Sequence, residues 1–234
     1  MNGLFMVDWG WFLDAVTQSG KKMHTVSANS MHNLTMASVS TAILELAARQ
    51  GVITPADVRA LGVAPENLNK LAKQGKVNKI GRGLYRHPNF QATESHSYVE
   101  IAKLVPDGVI CLLSALSIHG VGNHMPWEVW ISIPRGKRIP VSRQTRIRAV
   151  SMTGLNYDLE VNELSLEGVT VKVYSLEKTI VDCFRLRRLV GHDVPVEALR
   201  QAMNAKKIDV SKLLSLAARL RSRQLIQPYL EAMI

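Results

Sequence analysis

Residues 53–86 read ITPADVRALGVAPENLNKLAKQGKVNKIGRGLYR, and this stretch decides the fold of the first half of the chain. Thr54 followed by Pro55 is a helix start. The hydroxyl can cap a free amide, and proline at the first helical position gives up an N–H that has no partner there. Ala56 to Leu61 continue the helix and Gly62 stops it. After Val63-Ala64-Pro65 a further helix runs from Glu66 to Gln74. Leu68, Leu71 and Ala72 face inward and Gly75 closes it. Val77 to Arg86 then read as a hairpin around Gly81-Arg82-Gly83, where glycines permit the turn.

On the N-terminal side, Ile43, Leu44, Leu46 and Ala47 keep helical spacing. Ser38 or Ser40 is the expected N-cap, and Gly51 is the stop. Three short helices followed by a basic hairpin describe a winged helix over residues 38–90. The two helices joined by Gly62-Val63-Ala64 have the length and turn of a helix-turn-helix.

The charges agree. Between Val39 and Phe90 there are eight Lys/Arg and three Asp/Glu, and five of the basic groups fall between Lys70 and Arg82. Asn67, Asn69, Lys70, Lys73 and Gln74 are expected on or near the outer face of the third helix, with Lys76, Lys79, Arg82 and Arg86 on the wing side. Asn and Gln can pair with adenine, and Lys with guanine or phosphate. Arg82 at the tip suits a minor groove or a phosphate. These residue types suit double-stranded DNA. Two blander readings stand beside this: polar residues on a surface helix are often only solvated, and winged helices also bind proteins.

The whole chain has 234 residues, 29 Lys/Arg against 19 Asp/Glu and a net charge of +10. Such an excess favours polyanions. A hydrophobic fraction of 47% excludes a disordered chain. No apolar run approaches the roughly 18 residues of a membrane span. Cys111 and Cys183 lie in apolar stretches without ligand spacing and read as buried thiols of a reducing, cytoplasmic protein.

Residues 1–37 form an N-terminal extension expected to be poorly ordered. The apolar patch Leu4 to Leu13 is broken by Asp8 and has no basic start, so it is not a secretory signal. Thr17 to Thr35, rich in Ser, Asn and Thr, reads as a linker. An amphipathic docking helix, or a true start at Met31 or Met36, are the other readings of this segment.

Residues 91–234 read as a mixed α/β part with a helical tail, which makes the whole chain α+β. Helices are expected from Tyr98 to Pro106, Val109 to His119, Leu176 to Arg187, Val194 to Asn204, Val210 to Leu220 and Ser222 to Met233. Strands are expected at Trp127 to Ile133, Thr145 to Met152 and Val169 to Tyr174. Arg135, Lys137, Arg138, Arg143, Arg146 and Arg148 make a stretch without an acid. It reads either as a solvated loop and charge-protected edge strand or as a second basic surface for DNA, RNA or an acidic partner.

Catalysis is not expected. Glu177 and Asp182 lie five apart on one helix, about 140° apart at about 100° per residue, so they do not converge with Lys178 on a metal. A cap-region acid and a surface Asp explain them. Ser114 reads as a core hydroxyl bonded to its own helix, and His119 as a helix-terminal residue complementing the dipole. His119 and His124 lack acids or cysteines to complete a metal site. No phosphate loop is present, and no cofactor is expected.

Four stretches together resemble the AbiEi-type antitoxins of bacterial type IV toxin–antitoxin (abortive infection) systems. They are Leu71–Tyr85 (LAKQGKVNKIGRGLY), Cys111–Gly120 (CLLSALSIHG), Val129–Arg138 (VWISIPRGKR) and Tyr174–Arg185 (YSLEKTIVDCFR). The resemblance runs from about Ala37 to the end. It implies a winged helix that binds repeats in the protein's own promoter and represses it, followed by an antitoxin domain over residues 91–234. It also implies a functional partner, a separately encoded nucleotidyltransferase toxin, which need not be bound directly. The alternative is a protein- or RNA-binding module acting through the basic C-terminal part, without sequence-specific DNA binding.

Overall fold

The computed structural model describes residues 28–123, 126–142 and 144–233, with side chains from residue 38 onward. Of the first compact unit, Met1–Val39, only the start of one helix is described. The second unit, Ser40–Ile234, carries everything below.

Helix α1 spans Ala28–Gln50. It begins ten residues before the expected serine caps, so the supposed linker is helical from Ala28 onward. Ser, Asn and Thr each cost only about 0.7 kcal/mol or less against alanine, and Met31, Leu34, Met36 and Ala37 are interspersed among them. The reading of residues 1–27 lies outside the described residues.

Strand β1 (Val52–Ile53), helix α2 (Pro55–Ala60), helix α3 (Glu66–Lys73) and strands β2 (Asn78–Gly81) and β3 (Leu84–Arg86) follow. Thr54 and Asp57 form a reciprocal capping box on α2: the Asp57 amide donates to Thr54 Oγ1 and the Thr54 amide to Asp57 Oδ2. The strands make a sheet in the order β1-β3-β2, all antiparallel. Strand β1 was not expected; two residues carry no period. Ile43, Ala47, Val58, Leu68, Leu71, Val77 and Leu84 are buried beneath these elements. Gly51 sits at φ +69°, and a Cβ there would meet the Phe90 ring at 2.5 Å. Only glycine therefore joins α1 to β1.

Beyond Phe90 come helix α4 (His96–Leu104), strand β4 (Val109–Ile110), helix α5 (Leu112–Ile118) and strands β5 (Val129–Pro134) and β6 (Ile147–Met152). Helix α6 (Leu155–Asp158) and strands β7 (Val161–Leu166) and β8 (Val169–Tyr174) complete the sheet region. The five strands are ordered β6-β5-β4-β8-β7. Pairs β5–β6 and β4–β8 are parallel, while β4–β5 and β7–β8 are antiparallel. The expected helix from Val109 thus starts only at Leu112. Its first two residues are buried between β5 and β8, where an apolar pair serves a strand as well as a helix.

Helix α4 covers one face of this sheet with Val99, Ile101 and Val105 against Ile110, Ile131, Val171 and Val173. The other face packs on α5 and on helix α7 (Leu176–Arg185), which Ser175 caps by accepting from the Lys178 amide. Helices α8 (Arg187–Val190), α9 (Val194–Asn204), α10 (Val210–Arg219) and α11 (Arg223–Glu231) close around α7. The chain is a mixture of helices and sheets, with the helical tail where the sequence put it.

Polar clasps join the α1–β3 segment to the five-stranded sheet. Lys103 of α4 pairs with Asp57 and donates to Gln50 Oε1 at 3.0 Å. Gln50 Nε2 donates to the Gly168 carbonyl in the β7–β8 turn. Glu167 in the same turn accepts from Thr93 Oγ1 at 2.7 Å and lies 2.8 Å from His96 Nδ1.

Candidate nucleic-acid interface

Helix α3 is amphipathic by construction. Leu68 and Leu71 are buried, while Asn69, Lys70, Lys73 and Gln74 are exposed. Gly75 at φ +71° ends the helix, and the Lys76 amide returns to the Leu71 carbonyl. Buried Val77 then fixes the start of β2. Gly81 faces Leu84 across the hairpin, which leaves Arg82 and Gly83 at the tip. Gly83 takes φ +71°, a conformation the tight turn demands. Lys76, Lys79 and Arg82 are exposed beside it.

Not every expected contact residue is free. Tyr85 donates its hydroxyl to Asn69 Oδ1 at 2.8 Å. Asn67 Nδ2 donates to the Ala64 carbonyl at 3.0 Å, and the residue is half-buried. Both asparagines thus hold the helix in place. Arg86 is half-buried on the middle strand, paired in register with both Val52 and Asn78. Lys79 lies 5.9 Å from the Tyr85 ring centroid. The exposed basic set is therefore Lys70, Lys73, Lys76, Lys79 and Arg82. Of the three acids in this segment, Asp57 is already occupied by Lys103 and the cap.

The second basic stretch is divided. Lys137 pairs with Asp107, and Arg148 lies 3.3 Å from Glu128 and 4.8 Å from the Trp130 ring centroid. Arg146 lies 4.9 Å from the Trp127 centroid. Arg135 and Arg138 are exposed. Arg143 lies outside the described residues, as does His124.

Of the two acids of α7, Glu177 lies in the first turn beside the Ser175 cap as expected, but Asp182 is not on the surface. Asp182 is fully buried and pairs with Lys178, also fully buried, and with Arg185 at 2.9 Å. Lys178 further donates to the Asn156 carbonyl at 3.1 Å and lies 4.2 Å from the Tyr174 centroid. Burial pulls the lysine below its ordinary range, against the pull of Asp182. Burial also pushes the Tyr174 phenol and the Cys111 and Cys183 thiols upward. The surface reading of Asp182 fails because its i−4 neighbour is a lysine that must itself be neutralised. Glu177 turns elsewhere, accepting from the Asp209 amide at 3.3 Å.

Ser114 accepts from the Trp130 amide at 2.9 Å rather than bonding to its own helix, and so fastens α5 to β5. His119 Nε2 lies 2.8 Å from the Tyr174 carbonyl, which gives it a partner across the core at its helix end. Among the described residues no group of three or more His, Cys, Asp or Glu is placed to hold a metal. No helix among them is long and apolar enough to cross a membrane.

The amphipathic α3, the capped α2 and the basic hairpin lie inside one recognisable segment. Residues 42–88 match the AbiEi antitoxin family of transcriptional regulators. The AbiEi match runs from within α1 to just beyond β3, so it contains α2, α3 and the hairpin whole. It takes in the first of the four stretches that carry the resemblance; the other three lie outside it. No curated protein matches the chain. Among solved structures, the crystal structure of the RV2827C protein from Mycobacterium tuberculosis is similar, with a TM-score of 0.51 at 16% identity. It covers 82% of this chain and 71% of that one. At that identity the likeness is one of fold.

Proposed function

We propose that this chain is a cytoplasmic DNA-binding antitoxin of a bacterial type IV toxin–antitoxin system. Residues 38–90 act as a winged helix that represses the protein's own promoter. Helix α3 enters a major groove and Arg82 contacts phosphate or the neighbouring minor groove. Residues 91–234 are the antitoxin part, which counteracts a separately encoded nucleotidyltransferase toxin with or without touching it. The chain works by binding, with no catalytic step of its own. Glu177 and Asp182 each have a structural partner, which supports that reading.

The observation that carries the proposal is the exposed basic set on α3 and the hairpin tip, inside the segment that matches the AbiEi family. Lysines on a helix beside an arginine-tipped hairpin present cations to two neighbouring stretches of phosphate. The test is binding of the purified protein to its own upstream DNA across a salt series, against a scrambled competitor. Tight and sequence-selective binding is expected. Equal binding to both DNAs would sink the repressor reading. Toxin neutralisation is tested separately, by co-expression with the neighbouring nucleotidyltransferase and scoring of growth.

A further inference from the structure

Trp127 stands just before β5 with 69% of its surface exposed. An indole left this open forgoes the burial that normally makes tryptophan stabilising. The Arg146 guanidinium lies 4.9 Å from its ring centroid. Beside the pair is a cleft of about 330 Å³ lined by Trp127, Arg146, Ser97, Gln144 and Pro126. The Gln144 backbone amide donates to Ser142 Oγ at 3.2 Å, while the Gln144 side-chain amide and the Ser97 hydroxyl take no hydrogen-bond partner among the described residues. Glu128, an acid that also lines the cleft, is paired with Arg148. Arg135 and Arg138 are exposed past the other end of β5. That six-residue strand spans about 17 Å at about 3.3 Å per residue.

We propose that the Trp127–Arg146 pair is a stacking platform for an unpaired base of single-stranded RNA. A flat π-face next to a cation suits any base, because every base has a π-face of its own. Arg138 and Arg135 take flanking phosphates within the reach of a short oligonucleotide. The free hydroxyl of Ser97 and the side-chain amide of Gln144 can both donate to and accept from a ribose 2′-hydroxyl, the group that separates RNA from DNA. This platform is separate from α3 and the hairpin, and it stands or falls independently of promoter binding.

The test is fluorescence anisotropy of a labelled uridine octamer with the full chain at low salt. Three comparison ligands are the abasic octamer, the deoxyuridine octamer and promoter duplex. The wild type is expected to bind the uridine octamer best of the three octamers. Trp127→Ala is expected to weaken that binding about ten-fold or more, and Trp127→Phe to restore most of it. Promoter binding should be unchanged in Trp127→Ala, while a Lys70→Ala/Arg82→Ala variant should lose promoter binding and keep the octamer. Because Trp127 is exposed, its replacement leaves the fold intact, which circular dichroism checks. Equal binding of uridine and abasic octamers, or an unaffected Trp127→Ala, would mean generic charge attraction and overturn the proposal. So would an absence of octamer binding. Equal affinity for the deoxyuridine octamer would overturn the assignment to RNA.

Discussion

The Tyr85 hydroxyl donates to Asn69 Oδ1 at 2.8 Å, and this bond ties helix α3 to the middle strand of the hairpin sheet. An exposed side chain on the outer face of α3 is thereby tied to the hairpin and positions the helix. Removing the bond by Tyr85→Phe should cost about 1 kcal/mol of stability and weaken promoter binding several-fold by loosening α3. Asn69→Ala should do the same, and the double variant should be no worse than either single. Urea unfolding and promoter titration of the three variants check this. Additive losses in DNA affinity would show instead that Asn69 touches a base.

Lys70 and Arg82 are both exposed, one on α3 and one at the hairpin tip. If each neutralises one phosphate, replacing both with Ala should lower the slope of log K against log salt by about 1.8, at about 0.9 per contact. Arg86 is half-buried on the middle strand, and Arg86→Ala should change the slope far less. A slope that stays put in the double variant would take the duplex off this face.

Within α7, Lys178 and Asp182 share full burial, so neither charge can be left alone. Asp182→Ala should cost about 3–5 kcal/mol, because it strands a cation without water. Replacing both with apolar residues, Lys178→Met with Asp182→Leu, should recover much of that loss. Chemical denaturation of the single and double variants reads this directly. Were Asp182→Ala to keep its stability while losing an activity, the site would be functional and not structural.

Lys212 on α10 holds the Glu160 carboxylate just before β7, at 2.6 Å. That hydrogen bond pulls the carboxyl below its usual range, and the Glu160 partner lifts the lysine. A depressed carboxyl adds stability above its unfolded value of about 4.3. That stability is lost as the pH falls through the lowered folded value. Both side chains are partly exposed, so the pair contributes about 1 kcal/mol or less. An NMR titration of the Glu160 carboxyl should show it return toward the ordinary value in Lys212→Met.

Much of the architecture was readable where local chemistry is explicit. Thr54-Pro55, Ser175 and the glycines at 62 and 75 mark helix ends by their own side chains or by the lack of one, and the helices fall there. The strands were harder. Val109–Ile110 is a two-residue strand inside an apolar run, and β7 breaks the two-residue alternation at Asn162-Glu163. The identity of β4 comes from pairing with β5 and β8, a long-range fact, whereas β7 pairs with β8 in a hairpin closed by Glu167-Gly168. At the interface the exposed lysines were legible from period and charge. The engagement of Asn69 was not, because its partner lies sixteen residues away on a strand. Asp182 did carry a local signal, the lysine four residues before it, which is the spacing of a helical ion pair.

The clasps made by Lys103 and Glu167 give one short stretch of chain a double duty. Asp57 and Gln50 on one side, and the β7–β8 turn on the other, are held by the same short stretch of chain between residues 93 and 103. A change at Lys103 or Glu167 therefore reaches two segments at once: Lys103 holds the end of α1 and the start of α2 together, and Glu167 ties the β7–β8 turn to the chain that leads into α4.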